Sequence, residues 1–201
     1  VMLKFNGTDS GLWWGKGMFG GGSLFGQDSR IILALRIVVD SVGSRQVFYE
    51  SGWAGGSSRN LLRLAITTGG EIEMALGGGG NGSRITKTTS TSPITAGGSY
   101  SIVLVAGSDS SGSTTVPMKL YVNGGTPLID DTVASNGYFS RDEFILLGGE
   151  YHSSNPGVDI DDPFDGSIDF LQYTVQEGTV PNLHDLTDAE AERIGNGEII
   201  T

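Results

Sequence analysis

The 201-residue chain contains no cysteine, which excludes disulfides and thiolate zinc sites and leaves its compartment unread from redox chemistry. Basic charge is scarce. Twelve Lys and Arg stand against 23 Asp and Glu, a formal net charge of −11, which argues against a nucleic-acid backbone or an anionic membrane surface as partner. Long hydrophobic runs are missing too: the longest, Ile31 to Val39, is interrupted by Arg36 and is too short to cross a bilayer. No signal peptide is visible and the chain opens on Val1. The expectation is a domain excised from a larger chain, with other domains and any targeting signal elsewhere.

Glycine is abundant, at 33 residues, yet shows no tripeptide period, so a collagen helix is excluded. Many glycines among short apolar runs imply many turns between many strands. Period-two alternation runs through the chain. Between Arg30 and Val39 the odd positions Ile31, Leu33, Leu35, Ile37 and Val39 are all apolar; Leu62, Leu64 and Ile66 repeat the pattern. Gly69-Gly70 then turns the chain into Ile72-Glu73-Met74-Ala75-Leu76, a predicted hairpin. Tyr100, Ile102 and Leu104 alternate likewise, as do Met118, Leu120 and Val122. Asn123-Gly124 closes a further hairpin, because both residues tolerate positive φ.

Roughly ten strands at this spacing predict an all-β, two-sheet antiparallel sandwich. One short helix is expected from Asp188 to Ile194, with a capping box from Thr187 to Glu190 and Gly195 as its stop. The glycine- and serine-rich pieces 77–82 and 108–115 read as loops. Residues 1–201 are expected to form one domain, long enough to bury a full core.

In order and spacing, three motifs resemble the concanavalin A-like jelly roll of the laminin G-like family. Leu3-Lys4-Phe5-Asn6-Gly7-Thr8-Asp9-Ser10 is similar to its first strand and turn. Lys119-Leu120-Tyr121-Val122-Asn123-Gly124 is similar to its Leu-Tyr-Val-Asp-Gly hairpin, with Asn for Asp, and Phe164-Asp165-Gly166-Ser167-Ile168-Asp169 to the start of its last strand. The resemblance implies a concave and a convex sheet, and functions from glycan binding to adhesion to catalysis, so fold alone does not choose.

Glycoside hydrolases on this fold carry alternate carboxylates along one strand, as nucleophile and acid. The nearest stretch here is Glu71-Ile72-Glu73, with no third acid. The arginine-rich and Gln-x-His strands of the polysaccharide lyases are not found, and His152 and His184 stand alone. No catalytic residue is therefore assigned, and a glycoside hydrolase or lyase is the third reading. In the last strand Leu171, Tyr173 and Val175 suit the core side, and strict alternation carries Asp169 toward the edge of that core. An ionised carboxylate there is costly unless paired or metal-bound. Either it caps backbone N–H groups or it holds calcium, which accepts carboxylates and carbonyls. The family resemblance implies a structural calcium with carbonyls near Asn6 and Gly43 as its other ligands. The acidic run Asp159, Asp161, Asp162, Asp165 lacks EF-hand spacing and reads first as turn and solvated surface.

A sugar site needs an aromatic face for stacking and planar polar groups for hydroxyls. Trp13 and Trp14 are adjacent on a strand, so one belongs to the core and the other to the opposite face or rim. The residues chosen for a ligand face are Trp14, Tyr49, Trp53, Arg59, Tyr151 and His152; the bland alternative is that the tryptophans close the ends of the sandwich. The leading expectation is a non-catalytic, lectin-like carbohydrate-binding module of a secreted, surface or virion protein. The alternative is a structural or adhesive module contacting a partner protein, as in a phage tail, a capsid or a multidomain surface protein.

Overall fold

A computed structural model describes residues 2–15, 29–52, 61–77, 85–108, 115–134, 144–151, 160–177 and 186–198. Fourteen strands and one helix lie among them. The strands are β1 (Leu3–Asn6), β2 (Leu12–Gly15), β3 (Ser29–Val39), β4 (Gln46–Gly52), β5 (Leu61–Ile66), β6 (Ile72–Gly77) and β7 (Ile85–Thr88). They continue with β8 (Ser99–Ser108), β9 (Thr115–Val122), β10 (Ile129–Ala134), β11 (Phe144–Leu147), β12 (Glu150–Tyr151), β13 (Ile160–Asp161) and β14 (Asp165–Glu177). Helix α1 spans Asp188–Gly195.

Two six-stranded antiparallel sheets form a sandwich. The first has the order β1-β14-β3-β8-β9-β10 and the second β2-β11-β4-β5-β6-β7; β12 and β13 make a separate ribbon. The alternation seen in the sequence sets the inner faces. Ile31, Leu33, Leu35, Ile37 and Val39 of β3 are buried in one cluster with Leu62, Leu64, Ile66, Ile72, Met74 and Leu76 of the second sheet. Burying each such side chain contributes about 1.5–3 kcal/mol. Phe164 joins the sheets at one end, its ring 6.0 Å from Phe5 and 6.1 Å from Phe48.

Turn chemistry follows the residues that make it. Asn123 and Gly124 have φ of 57° and 74° and connect β9 to β10. Gly70, at φ 86°, closes the β5–β6 hairpin, where an added Cβ would lie 2.4 Å from the Ile94 carbonyl oxygen.

The helix forms where its capping box predicts: the Thr187 side chain accepts from the Glu190 N–H, and the Glu190 carboxylate accepts from the Thr187 N–H. Its apolar side covers the outer face of the first sheet. There Leu186, Ala191 and Ile194 cluster with Ile32, Ala34, Val103, Val105 and Tyr121, and the Ser101 hydroxyl donates to the Gly195 carbonyl at 2.8 Å.

One strand departs from strict alternation. The β14–β3 register shifts between Ile168 and Phe170. Ile168 stands opposite Ile37 and Leu171 opposite Leu35, both core partners. The extra residue is Asp169, and such an insertion resets the inside–outside parity. Asp169 is therefore not drawn to the core side, as alternation had it. Its carboxylate instead lies 3.8 Å from Arg36, whose neighbours Ile37 and Leu35 are the inward residues.

Candidate functional site

The outer face of the second sheet is set by the same two-residue period. With Leu62, Leu64 and Ile66 turned inward, Arg63 and Ala65 fall on the outer face of β5; with Ile72, Met74 and Leu76 inward, Glu73 and Ala75 fall on that of β6. Register then aligns Leu146, Glu50, Arg63 and Ala75 in one row across β11, β4, β5 and β6. All four are buried, Glu50 completely and Arg63 to 5% exposure.

A guanidinium so placed needs compensation, and for Arg63 it comes from distant segments. Arg63 Nη1 donates to Glu150 Oε1 at 2.6 Å and Nη2 to Glu73 Oε1 at 3.2 Å. Arg45, in the β3–β4 connection, donates from Nη1 to Glu150 Oε2 at 3.0 Å and from Nη2 to Glu73 Oε1 at 2.9 Å. It also donates to Asp162. Glu150 is thus bridged by one guanidinium on each oxygen, and Glu73 takes both guanidiniums on one. The β12–β13 ribbon delivers Glu150 and Asp162, and the Val47 N–H donates to the Asp162 carbonyl at 2.8 Å, which ties the ribbon to β4. Asp162 itself has φ 45°, a conformation Asp and Asn tolerate better than most residues.

Protonation follows from these contacts. Burial, the largest influence on Glu73, pushes its carboxyl upward, but the hydrogen bonds and charges of Arg45 and Arg63 prevail and hold it below the usual glutamate value. Burial likewise works to lower Arg45, and the carboxylates of Glu73, Glu150 and Asp162 outweigh it, so its pKa is raised. The network is fully ionised at Glu73 near neutrality. A glycosidase acid needs a carboxyl raised toward neutrality; this arrangement offers fixed donors and acceptors instead. One buried donor is unspent, since Arg63 Nε has no hydrogen-bond partner. The mouth of the cluster is partly open: side-chain exposure is 27% at Arg45, 20% at Glu73, 19% at Glu150 and 37% at Asp162.

The residues chosen from sequence are only partly gathered here. Tyr49 is removed from the ligand face: it is fully buried in the core cluster beside Phe48, because the β4–β5 register shifts between Val47 and Tyr49 and turns two neighbours inward. Trp14 pairs with the core residue Ile145, whereas Trp13 pairs with Leu146 and so stands in the row of Glu50 and Arg63. Tyr151 follows Glu150 and pairs with Ile160. Trp53, Arg59 and His152 lie outside the described residues. Glu71 does not join Glu73; it sits in the β5–β6 turn, accepting from Thr67 and Ser92.

The three residues considered for calcium do not assemble. Asn6 stands opposite Asp165, and the segment leading to Gly43 also reaches β14 there, through the Ser41 hydroxyl donating to Asp165 at 2.6 Å. Asp169 is four residues further along β14, about 13 Å at ~3.3 Å per residue, beside an arginine. Among the described residues no group of three or more acidic or histidine side chains is arranged to hold a metal ion. These residues as placed do not fit the ion.

Arg45, Arg63 and Glu150 were not singled out in the sequence, and Asp162 was read only as part of an acidic turn and solvated surface, whereas it pairs with Arg45. Alternation does place Arg63 and Glu73 away from the core, but nothing local pairs Arg63 with a glutamate 87 residues later.

No family model and no curated protein sequence matches the chain. Solved structures do. The CBM40 module of the Ruminococcus gnavus IT-sialidase, bound to α2,3-sialyllactose, superposes with a TM-score of 0.62 at 16% identity, covering 97% of this chain and 98% of that one. A heptameric SAP-like pentraxin from Limulus polyphemus gives 0.62 at 15% identity, covering 96% and 81%. The NanB sialidase of Streptococcus pneumoniae, as its K499G mutant, gives 0.61 at 17% identity, covering 95% of this chain and 27% of that one. At these identities the likeness is one of fold: a jelly-roll β-sandwich.

Proposed function

We propose that the chain is a carbohydrate-binding module of the concanavalin A-like, laminin G-like kind, acting outside the cell or at a surface and without catalysis. The observation that carries this reading is the charged network around Arg63, set on the sheet face that the helix does not cover. Sugar hydroxyls are met by planar side chains with fixed donors and acceptors, and a guanidinium held between two carboxylates is such a group. The fold neighbours that include sialyllactose-bound modules support the general class. The depressed Glu73 carboxyl supports binding over hydrolysis, since it withholds the proton a glycosidase acid must give. No helix among the described residues is long and apolar enough to cross a membrane.

The test is a broad glycan array probed with the folded chain, followed by titration of the best ligands with Arg45→Gln. Saturable binding weakened by the substitution supports the module reading. Binding to no glycan, or binding that ignores Arg45, tells against it and moves the adhesive-module reading forward.

A further inference from the structure

The chain holds five Asn-Gly pairs, and three lie among the described residues: Asn6-Gly7, Asn123-Gly124 and Asn196-Gly197. An asparagine before glycine can modify itself, because a following residue without a side chain lets its backbone nitrogen approach the asparagine Cγ. That nitrogen must first give up its proton, so an N–H committed to a carbonyl makes a poorer nucleophile. The three pairs differ on this point.

The Gly7 N–H donates to the Phe164 carbonyl at 3.0 Å, and the Gly197 N–H to the Ile194 carbonyl at 2.8 Å. Asn6 is also held at its leaving group, since its Nδ2 donates to Asp9 at 2.8 Å. The Gly124 N–H makes no hydrogen bond among the described residues.

Asn123 is exposed, and its Oδ1 accepts from the Ser101 N–H at 2.9 Å. That donor polarises the amide carbonyl and stabilises the negative charge that grows on Oδ1 as a nucleophile adds. Asn6 Oδ1 likewise accepts from Thr8, Asp9 and Ser10, but the nitrogen that would attack it is occupied. Ser101 also links the Asn123 turn to the helix. Its carbonyl accepts from the Asn123 N–H at 2.7 Å, and its hydroxyl donates to the Gly195 carbonyl at the end of α1. Gly124 backs onto the same helix: an added Cβ would stand 3.0 Å from Glu192 Cγ.

We propose that Asn123 is a site of spontaneous deamidation, and that the product loosens α1 from the first sheet. Solvent base takes the Gly124 amide proton, and the nitrogen bonds to Asn123 Cγ. The Cγ–Nδ2 bond then breaks, and Nδ2 takes up a proton and leaves as ammonia. Water opens the cyclic imide at the side-chain carbonyl to give aspartate, or at the backbone carbonyl to give isoaspartate. Isoaspartate adds a methylene to the main chain of the turn, which shifts it against Ser101 and so against the end of α1.

The experiment ages the whole folded chain in mildly alkaline buffer and maps its peptides by mass spectrometry, with isoaspartyl methyltransferase labelling to count the rearranged product. The same chain aged in urea is the reference, where the three pairs should react at similar rates. In the folded chain Asn123 should react about fivefold or more faster than Asn6 and Asn196, the factor that one ordinary hydrogen bond represents. The fraction modified at Asn123, separated by ion exchange, should melt below the unmodified chain, and ageing should lower the midpoint less in Asn123→Gln. Reaction at Asn6 or Asn196 as fast as at Asn123 in the folded chain overturns the assignment. An Asn123 that reacts in urea and not in the folded chain overturns it too, as does the same preference for Asn123 in urea, which would trace to neighbouring residues rather than to the fold. Modification at Asn123 with an unchanged midpoint overturns the link to α1.

Discussion

Arg63 and Glu150 meet at 2.6 Å although 87 residues separate them in the chain. The contact places a charged residue of a central strand under a ribbon that belongs to neither main sheet. Its energetics are those of a buried pair, in which desolvation is offset only while both partners are present.

Arg63→Met is therefore expected to destabilise the chain by about 3–5 kcal/mol, because Glu150 and Glu73 lose a buried counter-charge. Urea unfolding of the variant measures it. A loss below about 1 kcal/mol would mean the network is solvated and contributes as a surface pair does.

Acid should act through the same residues. The folded-state pKa of Glu73 lies below its unfolded value of about 4.3. Its contribution to stability is thus fully present above that unfolded value and is lost as pH falls through the lower, folded one. The urea midpoint should fall on acidification below about pH 4, and Glu73→Gln should show a smaller fall. An identical acid profile in the variant would remove Glu73 as a source of the pH dependence.

At the far face, Thr187→Ala removes the hydroxyl that accepts from the Glu190 N–H. A loss of about 1 kcal/mol is expected, read from the thermal midpoint. A much larger loss would show that α1 detaches and bares Ile32, Val103 and Val105.

Asp169 meets Arg36 at 3.8 Å and stands far along β14 from Asn6. Chelator is expected to leave the melting temperature unchanged, and Asp169→Asn to cost no more than about 1 kcal/mol. A chelator-dependent drop would place a cation where the described residues assemble no group of three or more acidic or histidine side chains.

What the sequence disclosed and what it withheld divide along a physical line. The odd positions of β3, the Asn123-Gly124 turn and the Thr187–Glu190 box are local patterns, and each appears as read. Asp169 was misplaced because it sits at a register shift, where one inserted residue reverses an inside–outside assignment that assumes a period of two. Tyr49 was taken to join the ligand face from a loop, whereas it lies within β4 at a second register shift and is turned into the core. The Arg45–Arg63 network was beyond local reading, since Glu73, Glu150 and Asp162 converge only after both sheets and the ribbon have formed. Single charged residues on the outer face of a strand carry no mark of burial.

The most direct measurement pairs glycan affinity with unfolding free energy in Asp162→Asn. This is the most exposed carboxylate of the network, and asparagine keeps its shape and its tolerance of positive φ. Stability should hold to within about 1 kcal/mol, while affinity for the best array ligand falls roughly fivefold or more, about 1 kcal/mol of binding. Affinity unchanged in a folded variant would contradict a sugar site at the Arg45–Arg63 network.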